Sequence, residues 1–318
     1  MQASLRLLGH RKFLPLFVTQ FLGAFNDNLF KTAMILFATY GVFQDPQQES
    51  TFNAVATGLF VLPFFLLSAL SGQLADNIDK AKIIRIVKLA EIVIMTVGAA
   101  GLLISAYYPM VGIGLMLSAL LAMGIHSTFF GPIKYAILPQ HLEREQVLGG
   151  TGLVEAGTYI AILTGTIVAG WISPTTAAGA VLVIAIIGYI SGRMVPPAPR
   201  VGPPIEIDHN IFRASWRLIS ATMHIRRLFL AIMSISFFWM IATVLVIVFP
   251  PLVKNEFTAT KEVASMFLAI FSIGVAVGSV AVNRLLRGVV SARYSPISES
   301  QPSAACLSCL SMPSSRPR

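Results

Sequence analysis

The first apolar stretch of the chain contains Phe25-Asn26-Asp27-Asn28-Leu29-Phe30-Lys31, an acid, two amides and an ammonium set among hydrocarbon side chains. A carboxylate or ammonium at the centre of a membrane span costs about 2.5 to 3.5 kcal/mol on insertion scales. Such groups persist where they face a bundle interior or a watery cavity, so they mark a candidate binding site. Asp27 and Lys31 stand four residues apart, on one helical face and within reach of each other. Gln20 lies seven residues before Asp27 on the same stripe, and Asn26 and Asn28 flank it. Two readings follow. The stripe binds a charged or zwitterionic headgroup, or Asp27 and Lys31 neutralise each other and lock helices together. The first is preferred, because intramembrane ionisable groups commonly mark pathways.

Further candidates lie downstream. Lys88 and Glu91 are three residues apart inside a later span, which reads as an internal pair; Glu91 also has the chemistry of an ion-coupling carboxylate. Glu155, in Gly-Leu-Val-Glu-Ala-Gly-Thr-Tyr, is a second cavity carboxylate, with flanking glycines that permit close packing. Gly72-Gln73-Leu74-Ala75-Asp76, followed by Asp79, Lys80 and Lys82, forms a tight loop between two spans. Gly72 there permits close helix approach, and Asp76 caps the adjacent helix or pairs across the loop. In His126-Ser-Thr-Phe-Phe-Gly-Pro-Ile-Lys-Tyr135, Gly131-Pro132 ends a span and Lys134 lands at the inner interface. There it meets lipid phosphate or serves as a positive-inside anchor. His126 reads as a packed polar residue, and Pro63 as a kink.

Enzyme chemistry finds no footing. No histidine has an aspartate five residues later, and the zinc-protease, nucleophile-elbow and phosphate-loop patterns are absent. Cys306 and Cys309 form a lone pair in the tail with no second pair or histidine nearby, so neither a metal site nor a cofactor is expected.

The elements that must carry these residues are transmembrane helices. Hydrophobic residues make up 55% of the chain and charged residues 12%, about half the charged content of a soluble domain. Runs long enough to cross about 30 Å of hydrocarbon fall near 13–42, 53–75, 83–106, 110–130, 151–171, 177–195, 228–250 and 263–283. The runs are continuous rather than alternating, so an all-α bundle of about eight spans is expected and a barrel is not. With the N-terminus inside, nineteen Lys and Arg fall in inner segments and two, Lys254 and Lys261, in outer ones; both termini are thereby placed in the cytoplasm. The +9 charge follows this topology and not a nucleic-acid-binding stripe. No cleavable signal peptide is evident.

Residues 1–195 thus form a six-helix half and 196–227 a cytoplasmic linker. The linker opens with the proline-rich Pro196–Pro204 and continues into a surface helix with Phe212, Trp216, Ile219 and Met223 on one face. Residues 228–290 supply the first two helices of a second half, and 291–318 form a Ser- and Pro-rich disordered tail. A faint repeat relates Arg11-Lys12 and Gly72 to Arg226-Arg227 and Gly278.

Phe13–Lys31, the Gly72–Asp76 loop, Ser127–Leu142 and Gly152–Thr166 together resemble the bacterial lysophospholipid transporters of the major facilitator superfamily, over roughly residues 10–294. The resemblance implies a major facilitator-type bundle of which eight of twelve helices are present, as in a truncated or frameshifted product or, alternatively, a genuine eight-helix protein. It further implies import of lysophospholipid, notably lysophosphatidylethanolamine, across the bacterial inner membrane by alternating access. A working partnership with a cytoplasmic acyltransferase and acyl-carrier-protein synthetase belongs to the same picture. On this view Gln20, Asn26, Asp27, Asn28, Lys31 and Glu155 bind substrate, while Gly72, Asp76 and Lys80 form the gating loop. Lys134 contacts lipid phosphate, Glu91 serves ion coupling, and Phe17, Phe21 and Phe25 wall the acyl chain. A generic exporter of amphipathic compounds and a non-transporting fragment are the alternatives.

Overall fold

A computed structural model describes residues 6–202, 207–208 and 210–285. Each of the eight expected spans is a helix of at least 20 residues. They are α1 (Leu14–Phe37), α2 (Pro46–Asn77), α3 (Lys80–Ile104), α4 (Pro109–Ala136), α5 (Arg144–Trp171), α6 (Pro174–Arg193), α8 (Arg226–Asn255) and α9 (Lys261–Leu285). The surface helix α7 (Ile211–Met223) lies between the sixth and seventh, with Phe212 and Trp216 exposed. Six of these helices are apolar and long enough to cross a membrane by length and composition alone. The first helix is not among them, since Gln20 and Asn26–Lys31 dilute its hydropathy. The 291–318 tail, Cys306 and Cys309 lie outside the described residues.

Helix starts follow local chemistry. Proline occupies the first turn of α1, α2, α4 and α6, where no amide partner is lost. Asp45, Asp79 and Ser173 accept hydrogen bonds from backbone amides at the N-termini of α2, α3 and α6. The proline-rich segment after α6 is extended and pinned to the α2–α3 loop. Asp79 Oδ1 accepts from Ala198 N (3.0 Å), and Lys80 N donates to Ala198 O (3.0 Å).

The fourth span does not end at Gly131-Pro132 as expected; α4 runs through to Ala136. Pro132 frees the carbonyl of Thr128, and that oxygen accepts from the Ser71 hydroxyl of α2 at 2.8 Å. Pro251 does the same within α8, where the freed Ile247 carbonyl accepts from Asn53 of α2 at 3.4 Å. A proline in a buried helix is tolerated here because a neighbouring helix supplies the missing donor.

The side chains sort into layers. One apolar cluster holds Phe30, Met34, Met95, Leu102, Met116 and Leu120, a second holds Phe13, Leu16, Ile84, Phe130, Ile133 and Leu142, and a small third holds Leu36, Val253 and Ala264. Between the first two lies a polar layer of Thr19, Gln20, Asn26, Lys88, Glu91 and His126, all buried. The outer faces remain apolar, with Phe65, Leu89, Val93 and Ile186 exposed, as lipid-facing residues are. Helix α1 packs on α5 and α6, α4 on α2 and α3, and α3 on α6; α8 and α9 then dock on α2 and α5.

Association between helices in lipid rests on close packing, and the crossing of α1 and α5 is one such close approach. A Cβ on Gly165 would lie 2.6 Å from Phe25 O and 3.2 Å from Leu29 N, backbone atoms that cannot yield. Gly72 differs from its expected role, since a Cβ there meets open space. Gly165→Ala should therefore destabilise the protein by about 1 to 3 kcal/mol. Gly72→Ala should be neutral or stabilising by up to about 1 kcal/mol, alanine being the better helix former. Thermal melting of the two purified variants separates these outcomes.

Candidate functional site

Helices α1, α2, α4, α5, α8 and α9 enclose a central cavity of about 490 Å³. Its main polar wall comes from α1, α4 and α5: Gln20, Asp27, Asn28 and Lys31, then His126, Ser127 and Lys134, then Thr158; Thr57, Thr243 and Ser272 add hydroxyls from α2, α8 and α9. Its apolar wall comes from Phe60 and Phe64 of α2, Phe130 of α4, Phe238 and Trp239 of α8, and Phe271 of α9.

Four of the expected site residues on α1, namely Gln20, Asp27, Asn28 and Lys31, thus face one cavity. The self-neutralising Asp27–Lys31 pair, the less favoured of the two readings, is not formed. Asp27 accepts from Ser127 Oγ at 2.6 Å, its other oxygen has no hydrogen-bond partner among the described residues, and the Lys31 ammonium sits 5.1 Å over the Phe60 ring. Each charge is thereby left free to meet a ligand. Asn28 is partly spent on its own helix, donating to Ala24 O at 2.8 Å.

Three expectations are displaced. Asn26 is turned away from the cavity and is fully buried, donating to Glu91 Oε1 (3.1 Å) and Val181 O (3.2 Å). Neighbouring residues on a helix point about 100° apart, so Asn26 and Asp27 serve different interiors. Lys134 is not at the inner interface; because α4 continues past Pro132, its ammonium lines the cavity and donates to Thr158 Oγ1 at 3.3 Å. The Thr158 hydroxyl reaches Gln20 Oε1 at 2.9 Å, and Gln20 Nε2 is left as an unpartnered buried donor among the described residues. Glu155 is absent from the cavity wall and accepts a hydrogen bond from the Tyr135 hydroxyl.

Glu91 and Lys88 form the internal pair, at 2.5 Å and fully buried, with His126 Nε2 3.4 Å from the same carboxylate oxygen. In the loop, Lys80 is buried and Asp76 exposed, and the capping role expected of Asp76 is taken by Asp79, which accepts from Ala81 N at 2.9 Å. The aromatic wall belongs to other helices than expected, since Phe17, Phe21 and Phe25 of α1 are not in the lining. Phe17 packs instead against Gly157, where a Cβ would lie 2.7 Å from its ring. Ser127 and Thr158 were not singled out, although each is one residue or one turn from a residue that was. Trp239 carried a usable signal, an indole in the middle of an apolar run.

Contacts between the first six helices and the last two gather at one end of the bundle. The fully buried Glu49 accepts from Lys254, whose ammonium also donates to Thr39 O (2.6 Å) and Phe43 O (2.9 Å). Asn255 Nδ2 donates to the second Glu49 oxygen at 2.8 Å. Tyr40 donates to Ala259 O (3.2 Å), Lys261 to Ile172 O (3.0 Å), and Gly170 leaves room for the Ser265 side chain. Sequence reading counted Lys254 and Lys261 only as outer-loop charges.

A six-helix unit and a further helix pair around a central half-polar, half-aromatic cavity define a membrane protein of the two-half carrier architecture. The Major Facilitator Superfamily profile matches residues 16–314, and the chain belongs to that superfamily. Curated relatives include the lysophospholipid transporter LplT of Photorhabdus laumondii subsp. laumondii, 30% identical over 169 residues (53% of this chain, 38% of the relative). The lysophospholipid transporters LplT of Serratia proteamaculans and Pectobacterium carotovorum subsp. carotovorum are each 25% identical. They match over 202 residues (62% of this chain, 46% of the relative) and 287 residues (85% and 63%). The chain therefore spans about 38 to 63% of the length of these relatives.

Removing Lys254 strands the buried Glu49 carboxylate and should loosen this end, opening a path to the cavity. With Cys306 and Cys309 replaced by serine and a reporter Thr243→Cys on the cavity wall, Lys254→Met should raise labelling severalfold by an impermeant maleimide applied at the Lys254 end. Unchanged labelling would show that this contact does not hold the end shut.

Proposed function

We propose that this chain handles lysophospholipid in the bacterial inner membrane, as a secondary carrier of the alternating-access type or the larger part of one. The observation that carries the reading is a single cavity in which Asp27, Lys31 and Lys134 have no ion-pair partner among the described residues and face an aromatic wall. A lysophospholipid presents a phosphate, in lysophosphatidylethanolamine an ammonium as well, and one acyl chain. Lys31 and Lys134 suit the phosphate, Asp27 the ammonium, and Phe60, Phe64, Phe238, Trp239 and Phe271 the chain. The names of the relatives support the same substrate class. Uptake rather than export, cytoplasmic termini and cooperation with a re-acylating enzyme are parts of this proposal that rest on the resemblance and on the positive-inside pattern.

Within it, residues 1–195 serve as the headgroup-binding half and 228–290 as the start of the second half, joined by 196–227. Gly72, Asp76 and Lys80 retain the proposed gating role at the end opposite Lys254. Glu91 is bound to Lys88 and its proposed ion-coupling role is exercised through that cluster, and Glu155 acts through Tyr135 beside the cavity.

Equilibrium binding of radiolabelled lysophosphatidylethanolamine to the purified chain in nanodiscs tests the reading. Asp27→Asn should weaken binding about tenfold, the loss of one charged hydrogen bond, and Lys134→Met should weaken lysophosphatidylglycerol and lysophosphatidylethanolamine alike. Binding of both lipids unchanged in both variants would overturn the assignment.

A further inference from the structure

Asp27 is the last member of a chain of contacts that crosses three helices. Lys88 Nζ lies 2.5 Å from Glu91 Oε2, which lies 3.4 Å from His126 Nε2. His126 Nδ1 lies 3.3 Å from Ser127 Oγ, and Ser127 donates to Asp27 Oδ2 at 2.6 Å. The donors and acceptors constrain one another. Ser127 has a single hydrogen, and when it is given to Asp27 the serine oxygen can only accept, so His126 Nδ1 must carry a hydrogen. His126 Nε2 makes no hydrogen bond among the described residues but lies 3.4 Å from a Glu91 carboxylate oxygen, a contact that is attractive only when that nitrogen carries a hydrogen. With both nitrogens protonated, the charges alternate from Lys88 through Glu91 and His126 to Asp27 and sum to zero.

We propose that His126 and Ser127 form a proton-linked switch that decides whether Asp27 presents a free carboxylate to the cavity. This rests on the headgroup reading above. With a proton on each His126 nitrogen, Ser127 is turned toward Asp27 and occupies Oδ2. When an ammonium binds at Asp27, one proton leaves. The Nδ1 hydrogen passes to Ser127 Oγ, the Ser127 hydrogen to Asp27 Oδ2, and a proton from there to the cavity water. Ser127 then donates back to the bare Nδ1, His126 keeps its Nε2 hydrogen toward Glu91, and both Asp27 oxygens are free. The net change is the loss of one proton from an imidazolium, and ligand departure reverses it. His126 is thus a positioning residue acting through Ser127.

The other charged groups around the switch are accounted for. Helix α1 brings Asp27 and Lys31, α3 brings Lys88 and Glu91, and α4 itself brings Lys134; α2 brings Phe60 and Pro63. Proton and ammonium compete, so acid should weaken ammonium binding and base should strengthen it.

The test is the pH profile of lysophosphatidylethanolamine binding to the purified chain in nanodiscs between roughly pH 5.5 and 8, the range in which histidine titrates. The wild-type affinity should rise about tenfold across this range, a typical coupling between two sites. Lysophosphatidylglycerol, which has no ammonium, should show no such gain. His126→Gln should bind with a flat profile, and Ser127→Ala, which cuts the bridge at a cavity-lining position, should flatten it independently. A wild-type profile without slope, or the full slope surviving in both variants, overturns the switch while Asp27→Asn still reports on the headgroup site. If Asp27→Asn leaves lysophosphatidylethanolamine binding intact, the headgroup reading fails and the switch falls with it.

Discussion

A charge inside hydrocarbon must be answered by another charge or by water, and the middle layer of this protein is organised by that demand. Lys88 and Glu91 answer each other with no solvent contact, and Asn26 and His126 complete the carboxylate's surroundings from α1 and α4. Room for the lysine comes from glycine: a Cβ on Gly23 would lie 2.6 Å from Nζ, and one on Gly188 3.5 Å. Lipid offers no hydrophobic penalty for separating helices, so polar contacts and close glycine crossings do much of the work of association. The layer therefore fixes α1, α3, α4 and α6 relative to one another. It also spares Asp27, which is next to Asn26 in sequence but faces the cavity.

Much of the fold was legible because hydrocarbon is an undemanding judge of sequence. Each long apolar run became a helix, and the runs near 13–42 and 83–106 matched their observed bounds within a few residues. The fourth span was misjudged because the rule that proline ends a helix assumes its freed carbonyl has nowhere to go. Ser71, 57 residues from that carbonyl along the chain, is where it goes. The same error displaced Lys134 from an interface to the cavity wall.

The site was half legible for a related reason. Residue type revealed that Gln20, Asp27, Asn28 and Lys31 were costly and hence purposeful, and all four reached one cavity. Type alone does not fix azimuth, so Asn26 was grouped with them although it points into the bundle. Nor does it reveal partners far along the chain. The aromatic wall supplied by α8 and α9, and the Glu49–Lys254 contact, depend on how two units dock, and no local pattern encodes that.

That docking gives the proposed ligand a division of labour. The charged groups of the cavity, Asp27, Lys31 and Lys134, lie on α1 and α4, within the first six helices, whereas Phe238, Trp239 and Phe271 lie on the last two. A headgroup seated on Asp27, Lys31 and Lys134 touches one side only and has no differential hold on how the two sides are arranged. A ligand shifts a conformational equilibrium only through contacts that differ between the states. The acyl chain, lying against aromatics from both sides, is the part that spans the moving boundary. In the proposed carrier, recognition is then a property of the headgroup, and a movement that opens or closes the Lys254 end would be driven through the acyl chain.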